Sequence, residues 1–137
     1  MSIKFSSWFQ DRGCQPLTAP FDVTLYKDGD PNVVQPDLLA ICDQENIKED
    51  DTYMGTPALV VEVLSESTRS KDIIKKLELY MSGGVAEYWI VNPFSEEVSI
   101  YFFQDRELEN LLTYRKDEVA QSSVFKGLEV SLEEIFS

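Results

Sequence analysis

The residues with the greatest capacity for chemistry are two acids and one lysine: Asp37, Glu62 and Lys76. Glu62 lies within the apolar run at residues 58–64, which predicts a strand buried on both faces. A carboxylate in such a strand ionises at a high cost unless it has a partner, because water is largely excluded. That partner is either a cation from elsewhere in the chain or a bound metal. Alternatively, the strand ends near Glu62 and its side chain reaches solvent.

These residue types suit phosphodiester hydrolysis if they converge. Two carboxylates at one point repel each other, and both stay ionised when a divalent cation binds between them. Oxygen ligands without His or Cys favour Mg²⁺ or Mn²⁺. Such an ion polarises a phosphoryl oxygen and lowers the pKa of a bound water, while a nearby lysine stabilises the developing negative charge. Many sheets, however, carry one Asp and one Glu at strand ends.

The elements that must position these side chains can be read from apolar patterning. Asp37 follows Pro36, which must lie at the start or edge of a strand because proline cannot donate to a ladder. A helix is predicted from Ser67 to Met81, ended by a pair of glycines. Strands are predicted at residues 21–26, 38–42, 58–64, 87–91, 98–103 and 111–114, with hairpin loops longer than two residues between the last three.

The remaining segments receive less specific predictions. Residues 3–9 predict a short first helix, residues 44–56 a solvated acidic loop, and the end of the chain a short strand and a helical turn. The main helix lies between two core strands, which predicts a right-handed crossover between parallel neighbours. The expected fold is therefore an α/β domain.

Lys76 has two interpretations. It lies on the flank of the helix next to the apolar stripe, at the seam with whatever the stripe covers, whereas Lys71 and Lys75 are predicted to point the other way. Lys76 could form an ordinary pair with Asp72 one turn earlier, worth about 0.3–0.5 kcal/mol. Alternatively, it converges with Asp37 and Glu62.

Composition narrows the function classes. The 137 residues fit one domain spanning 1–137, and a net charge of −13 argues against non-specific adhesion to nucleic acid or anionic membranes. The absence of His excludes zinc sites with His ligands and Ser-His-Asp triads. Cys14 and Cys42 match neither a disulfide framework nor a zinc pattern, and a buried thiol is expected for Cys42. With no apparent signal peptide or membrane span, we expect a soluble, cytoplasmic protein.

Several motifs in order resemble one family. They are Gln35-Pro36-Asp37, then residues 61–65 with Ser67-Thr68, then Asp72, Lys76 and Tyr80 spaced by four, then residues 84–93. From about residue 20 to residue 136 the chain closely resembles the Uma-type (Uma-two) restriction endonuclease family of the PD-(D/E)XK nuclease superfamily. The resemblance implies a restriction-endonuclease-like mixed β-sheet with flanking helices, here short at the N-terminus. It also implies a Mg²⁺-dependent hydrolase, commonly a homodimer, that cleaves DNA.

The resemblance also assigns roles to individual residues. Asp37 and Glu62 correspond to the two motif acids, and the backbone carbonyl of Val63 to the remaining metal ligand. Leu64 stands where the superfamily usually has lysine, and Lys76 on the helix supplies that group. The catalytic residues implied are therefore Asp37, Glu62 and Lys76, and the metal ligands Asp37, Glu62 and Val63.

Two other functions are compatible with the sequence. The strong negative charge and the short N-terminus favour a nuclease fold without catalysis, serving as a binding or assembly module. The other is a small acidic protein that binds a partner through aromatic residues such as Trp8, Phe9 or Tyr101, although the spacing of these residues fits core positions.

Overall fold

A parallel pair of strands in the middle of a mixed sheet forms the frame of the molecule. The computed structural model describes residues 8–9, 13–18, 21–50, 52–65 and 70–136, and of residues 70–72 only the backbone. The strands are β1 (Gln15–Thr18), β2 (Asp22–Lys27), β3 (Asp30–Val34), β4 (Leu38–Ile41), β5 (Thr52–Tyr53), β6 (Leu59–Val63), β7 (Glu87–Asn92), β8 (Glu97–Gln104), β9 (Glu107–Tyr114), β10 (Val119–Gln121) and β11 (Glu129–Ser131). The helices are α1 (Ser70–Ser82), α2 (Leu132–Phe136) and a 3₁₀ turn at Gln44–Asn46.

The strands form three sheets. The main sheet has six strands in the order β1-β4-β6-β7-β8-β9, and only β6 and β7 within it are parallel. A three-stranded sheet has the order β3-β2-β5, and β10 pairs with β11. Helix α1 connects β6 to β7, as the crossover between parallel strands requires. The predicted α/β fold with a mixed sheet and flanking helices is confirmed.

The main sheet separates two hydrophobic clusters because side chains alternate along each strand. One face carries Val61, Trp89 and Val91, together with residues from β10, β11 and α2. The other face carries Val60, Tyr88 and Ile90, packed against Leu79 and Tyr80 of α1. Glu62 follows the alternation of Val60, so its side chain lies on the face that α1 covers. This arrangement places the candidate site between the sheet and the helix.

Helix α1 is observed close to its predicted position. It spans Ser70–Ser82 and is followed by Gly84, whose φ of +89° suits a residue without a Cβ and stops the helix. Its predicted start at Ser67 lies outside the described residues. The predicted first helix also lies mostly outside them, with only Trp8 and Phe9 assigned as helical. Among the described residues, no helix is long and apolar enough to cross a membrane.

Two local predictions are wrong for identifiable reasons. Strands β8 and β9 are joined by a two-residue turn, not a longer loop, because Asp105 and Arg106 both adopt positive φ values, of 54° and 63°. Such values at both positions give the tight hairpin turn that matches strand twist. Residues 44–56 also hold the 3₁₀ turn and β5, since Tyr53 is fully buried and pairs beside Val23 of β2.

The cysteine prediction is also wrong. Cys14 and Cys42 form a disulfide with their Cα atoms 4.2 Å apart, and Cys42 is exposed rather than a buried thiol. The register of β1 and β4 explains the pairing, because Gln15 lies opposite Ile41 and the next step along each strand brings the two cysteines together. This contact could not be seen in the sequence, since the two cysteines are 28 positions apart in the chain.

Candidate active site

Glu62 is the centre of the candidate site. Only 6% of the surface of Glu62 is exposed to solvent. Its Oε2 lies 2.8 Å from Nζ of Lys76. The hydroxyl of Tyr80 donates a second hydrogen bond to the same Oε2, at 2.9 Å. Lys76 and Tyr80 are one turn apart on α1, so one face of the helix supplies both partners. The charge of this buried carboxylate is thus balanced by a cation that is itself 39% exposed.

The burial and the negative charge around Glu62 raise the pKa values of two neighbouring tyrosine phenols. Burial raises the pKa of the Tyr80 phenol well above its ordinary value, and the negative charge of Glu62 raises it further. Burial likewise raises the pKa of Tyr88, whose ring lies 4.8 Å from that of Tyr80, with Glu62 and Asp37 contributing to the same shift. Tyr80 therefore stays protonated and serves as a hydrogen-bond donor to Glu62.

Asp37 lies beside Glu62 across neighbouring strands. Leu38 pairs with Val61 in the antiparallel β4–β6 register, so one further step places Asp37 opposite Glu62. Residues directly opposite share a face of the sheet, with Cβ atoms about 4.5–5.5 Å apart. Asp37 Oδ2 also accepts a hydrogen bond of 2.7 Å from the backbone N–H of Val63. The structure thus brings Asp37, Glu62 and Lys76 to one end of β6.

The backbone at Val63 is left open by a proline. The observed register ends at the pair of Leu38 and Val61, and its continuation by two steps would set Pro36 opposite Val63. Proline has no N–H, so β4 supplies no ladder donor to the Val63 carbonyl. The Val63 N–H has turned instead to the Asp37 carboxylate. Pro36 was predicted to lie at the start of a strand. Its position there means that β4 offers no N–H to the backbone carbonyl of Val63 at the site.

The side-chain oxygen atoms gathered here are of the type that hard divalent ions prefer. Glu62 uses Oε2 for both partners, and its Oε1 makes no hydrogen bond with the described residues. The Glu62 side chain as a whole keeps 8% of its surface exposed. Asp37 is exposed, with Oδ1 similarly uncommitted. Mg²⁺ commonly takes one or two carboxylates and keeps several waters. Across the described ranges, no group of three or more His, Cys, Asp or Glu side chains is placed to hold a metal.

Sequence patterning missed one strongly bonded acid. Glu87 is fully buried on the face opposite α1, where it accepts hydrogen bonds from Trp89 Nε1 at 2.5 Å, Ser123 N at 2.7 Å and Val124 N at 3.0 Å. Three donors satisfy this carboxylate, so it holds the loop after β10 against β7. The sequence did contain one indication of this contact. Trp89 follows Glu87 by two residues, and positions i and i+2 of a strand share a face, so the indole N–H can reach the carboxylate.

The other singled-out residues have definite places. Lys76 pairs with Glu62, and the side chain of Asp72, its alternative partner, lies outside the described part of the chain. Among the aromatic residues considered for partner binding, Phe9 is 2% exposed, and Trp8 and Tyr101 are partly buried against the two clusters. These positions match the core assignment that their spacing favoured.

Comparison with known proteins agrees with this architecture. The family model "Uma2: Putative restriction endonuclease" matches residues 1–133. The chain also resembles a crystal structure of "a putative nuclease belonging to DUF820" from Anabaena variabilis, with a TM-score of 0.78 and 17% sequence identity. That match covers 98% of this chain and 74% of the other. At this identity it shows a shared fold. No curated protein matches the chain.

Proposed function

Because this chain belongs to the Uma2 family of restriction-endonuclease-like proteins, we propose that it is a metal-dependent endonuclease that hydrolyses phosphodiester bonds in DNA. The observation that carries the proposal is the ion pair of 2.8 Å between Lys76 and Glu62, formed where Asp37 lies opposite Glu62. Two acids and one lysine at the end of a buried strand provide both the ligands and the cation that this reaction needs.

Each residue has a distinct role in the proposed reaction. Asp37 and Glu62 would hold Mg²⁺ or Mn²⁺ through their free oxygens, together with the carbonyl of Val63. A bound ion of this kind supplies a polarised phosphoryl oxygen and a water of lowered pKa. Lys76 is 39% exposed, so its ammonium can face the phosphate and stabilise the charge that develops there. Tyr80 is a positioning residue, since its hydrogen bond fixes the orientation of Glu62.

A direct test combines metal binding with cleavage. Calorimetry with MgCl₂ or MnCl₂ should show uptake by the wild-type protein and a loss of uptake in Asp37→Ala and Glu62→Ala. The wild-type protein should nick supercoiled plasmid when either metal is added, and Glu62→Ala and Lys76→Ala should not. Equal traces of nicking in all preparations would identify contamination and count against the proposal, as would an absence of metal uptake.

A second candidate function is a nuclease-fold protein that binds without cleaving. It is favoured by the finding that only two carboxylates of the described residues meet at the site, in a chain of net charge −13. The same experiment separates the two functions. Binding of DNA without metal-dependent nicking would support the binding module.

We further propose that two copies of the chain pair through β9. This strand ends the order of the main sheet, and its residues are exposed apart from Tyr114, including Leu108, Leu111 and Leu112 at 45–49%. Antiparallel pairing centred on residues 111 and 112 would set Glu107 of one copy against Lys116 of the other, with opposite charges. Light scattering should give the mass of a dimer for the wild-type protein and that of a monomer for Leu112→Lys.

A cytoplasmic location and a single domain over residues 1–137 belong to the same proposal. Both stay predictions from the sequence.

A further inference from the structure

A cleft beside the candidate site is lined by three of the twelve basic residues of an acidic chain. It has a volume of about 370 Å³ and lies between the β2–β3 hairpin and α1. Its polar lining is Lys27, Asn32, Lys75, Lys76 and Glu78. We call it the lysine cleft. Lys75, which helical spacing predicted to point away from Lys76, lines this cleft together with it.

The lysine cleft is continuous with the site through one residue. Lys76 lines the cleft and also contacts Glu62 at 2.8 Å. A chain of phosphates lying in the cleft would therefore lie next to Lys76, the residue that contacts Glu62. Since Lys76 is the only one of the three lysines that contacts Glu62 among the described residues, the other two are available for a different task.

The charges of the cleft favour an anion. Three lysines and one acid, Glu78, line the cleft, and of the three lysines Lys76 also contacts Glu62, in a molecule whose overall charge is −13. Glu78 contacts Lys27 across 3.2 Å, but both side chains are solvent-exposed, at 55% and 38%. An exposed pair of this kind is held weakly, so a phosphate can take the place of Glu78 at Lys27. Lys75 is exposed and forms no ion pair with the described residues.

We propose that the lysine cleft binds the phosphate backbone of DNA on one side of the bond to be cleaved, with Lys27 and Lys75 each contacting a phosphate. This inference rests on the proposed nuclease function and adds the direction from which the strand enters the site. Phosphate contacts of this kind position the nucleic acid without reading its sequence.

The experiment measures the affinity for DNA at several salt concentrations. A fluorescently labelled 30-base-pair duplex is titrated by anisotropy in MgCl₂, with every protein carrying Glu62→Gln so that cleavage does not interfere. Adding Lys27→Ala and Lys75→Ala should weaken binding about tenfold and reduce the slope of log Kd against log salt by about 2, since each lost phosphate contact removes about one unit. The reduction should be the same for unrelated duplex sequences.

Two matched variants guard against a general loss of structure. Lys126→Ala removes an exposed lysine that lines a different cleft, beside Phe125, and should leave Kd and slope unchanged. Glu78→Gln removes the one acid of the lysine cleft and should tighten binding, a change that damage to the fold would not produce.

The possible outcomes separate this inference from the proposed function. If the wild-type protein nicks plasmid but the double lysine variant binds DNA with unchanged Kd and slope, the lysine cleft is not the backbone site, although the nuclease proposal stands. If Lys126→Ala weakens binding as much as the double variant, the contacts are not specific to the cleft and the inference is wrong. If the wild-type protein neither binds nor cleaves DNA, both proposals fail.

Discussion

Lys76 and Tyr80 converge on one atom, the Oε2 of Glu62, from successive turns of α1. The lysine supplies charge and the phenol supplies orientation, so the two contacts are separable by substitution. Both contacts use Oε2, and Oε1 of Glu62 makes no hydrogen bond with the part of the chain that the structure describes.

Removal of the Tyr80 hydroxyl should impair turnover more than substrate binding. Tyr80→Phe loses one hydrogen bond, worth about 1 kcal/mol, which corresponds to about fivefold in kcat if Glu62 is misplaced to that extent. Steady-state kinetics on plasmid should show the decrease in kcat with KM little changed. Tyr88→Phe is the control, because Tyr88 packs against Tyr80 and makes no hydrogen bond to Glu62. An equal decrease in both variants would indicate a packing effect.

Substitution of Lys76 should separate metal binding from catalysis. Lys76→Met removes the cation 2.8 Å from Glu62, so the acid becomes more available to a divalent ion and Mg²⁺ affinity should increase. Nicking should fall about 10²–10³-fold, the usual cost of losing one group that stabilises transition-state charge. Calorimetry and plasmid cleavage measure the two effects, with Lys126→Met as the matched surface control. A parallel loss of metal binding and activity would show that Lys76 acts through structure alone.

Glu87 should be essential for stability. Glu87→Ala leaves three donors without their acceptor, one of them the fully buried Nε1 of Trp89 and the other two the partly buried N–H groups of Ser123 and Val124. We expect a loss of about 3 kcal/mol in the free energy of unfolding. Urea denaturation followed by tryptophan fluorescence measures it. Glu129→Ala, an exposed acid on β11, should change the stability by less than about 0.5 kcal/mol. Similar effects of the two substitutions would refute the assigned role of Glu87.

Reduction of the disulfide should destabilise the protein. Cys14 and Cys42 are separated by 28 residues, and a loop of that size predicts a loss of about 2–4 kcal/mol when the bond is broken. Urea denaturation with and without reductant gives the difference. The double variant Cys14→Ser/Cys42→Ser should be as unstable as the reduced wild-type protein, and reductant should not change its stability further. Two reactive thiols in the unreduced native protein would contradict the assignment.

Alkaline pH should unfold the protein through its buried phenols. Burial raises the pKa values of Tyr53, Tyr80 and Tyr88 above their ordinary value of 10.0. The folded protein thus keeps three protons that the unfolded chain releases near pH 10. The contribution of these phenols to the free energy of unfolding should therefore be constant below that pH and decrease above it.

Ultraviolet absorbance of phenolate, measured against pH, provides the check on these phenols. Three of the six tyrosines should ionise only as the protein unfolds. Six phenols titrating together in protein that is still folded would contradict the expectation.

The sequence was most informative where a signal was local. The apolar run around Glu62 predicted β6, and the apolar stripe of α1 with its glycine pair predicted the crossover helix. Pro36 marked the start of β4, which set Asp37 opposite Glu62. Crossover geometry then brought Lys76 to the end of β6. These features depend on patterning within a few residues, which is visible in one sequence.

Features that depend on distant partners could not be predicted. The pairing of Cys14 with Cys42 follows from the register of two strands, and the three donors of Glu87 come partly from a loop after β10. Strand β5 has two residues, too few for any periodicity, and β3 carries Pro31, which normally opposes strand assignment. The hairpin turn at Asp105 lacks the glycine that usually marks positive φ.

The crossover helix has a consequence for how the site can fail. Lys76 and Tyr80, which both contact Glu62, lie on α1. If that helix moves away from the sheet, Glu62 loses its cation and its hydrogen-bond donor at the same time. Because both partners leave together, the buried carboxylate then lacks any compensation, at a high cost in free energy. The site should therefore switch on and off as a unit, at a frequency set by the local unfolding of α1 and measurable as amide exchange in that helix.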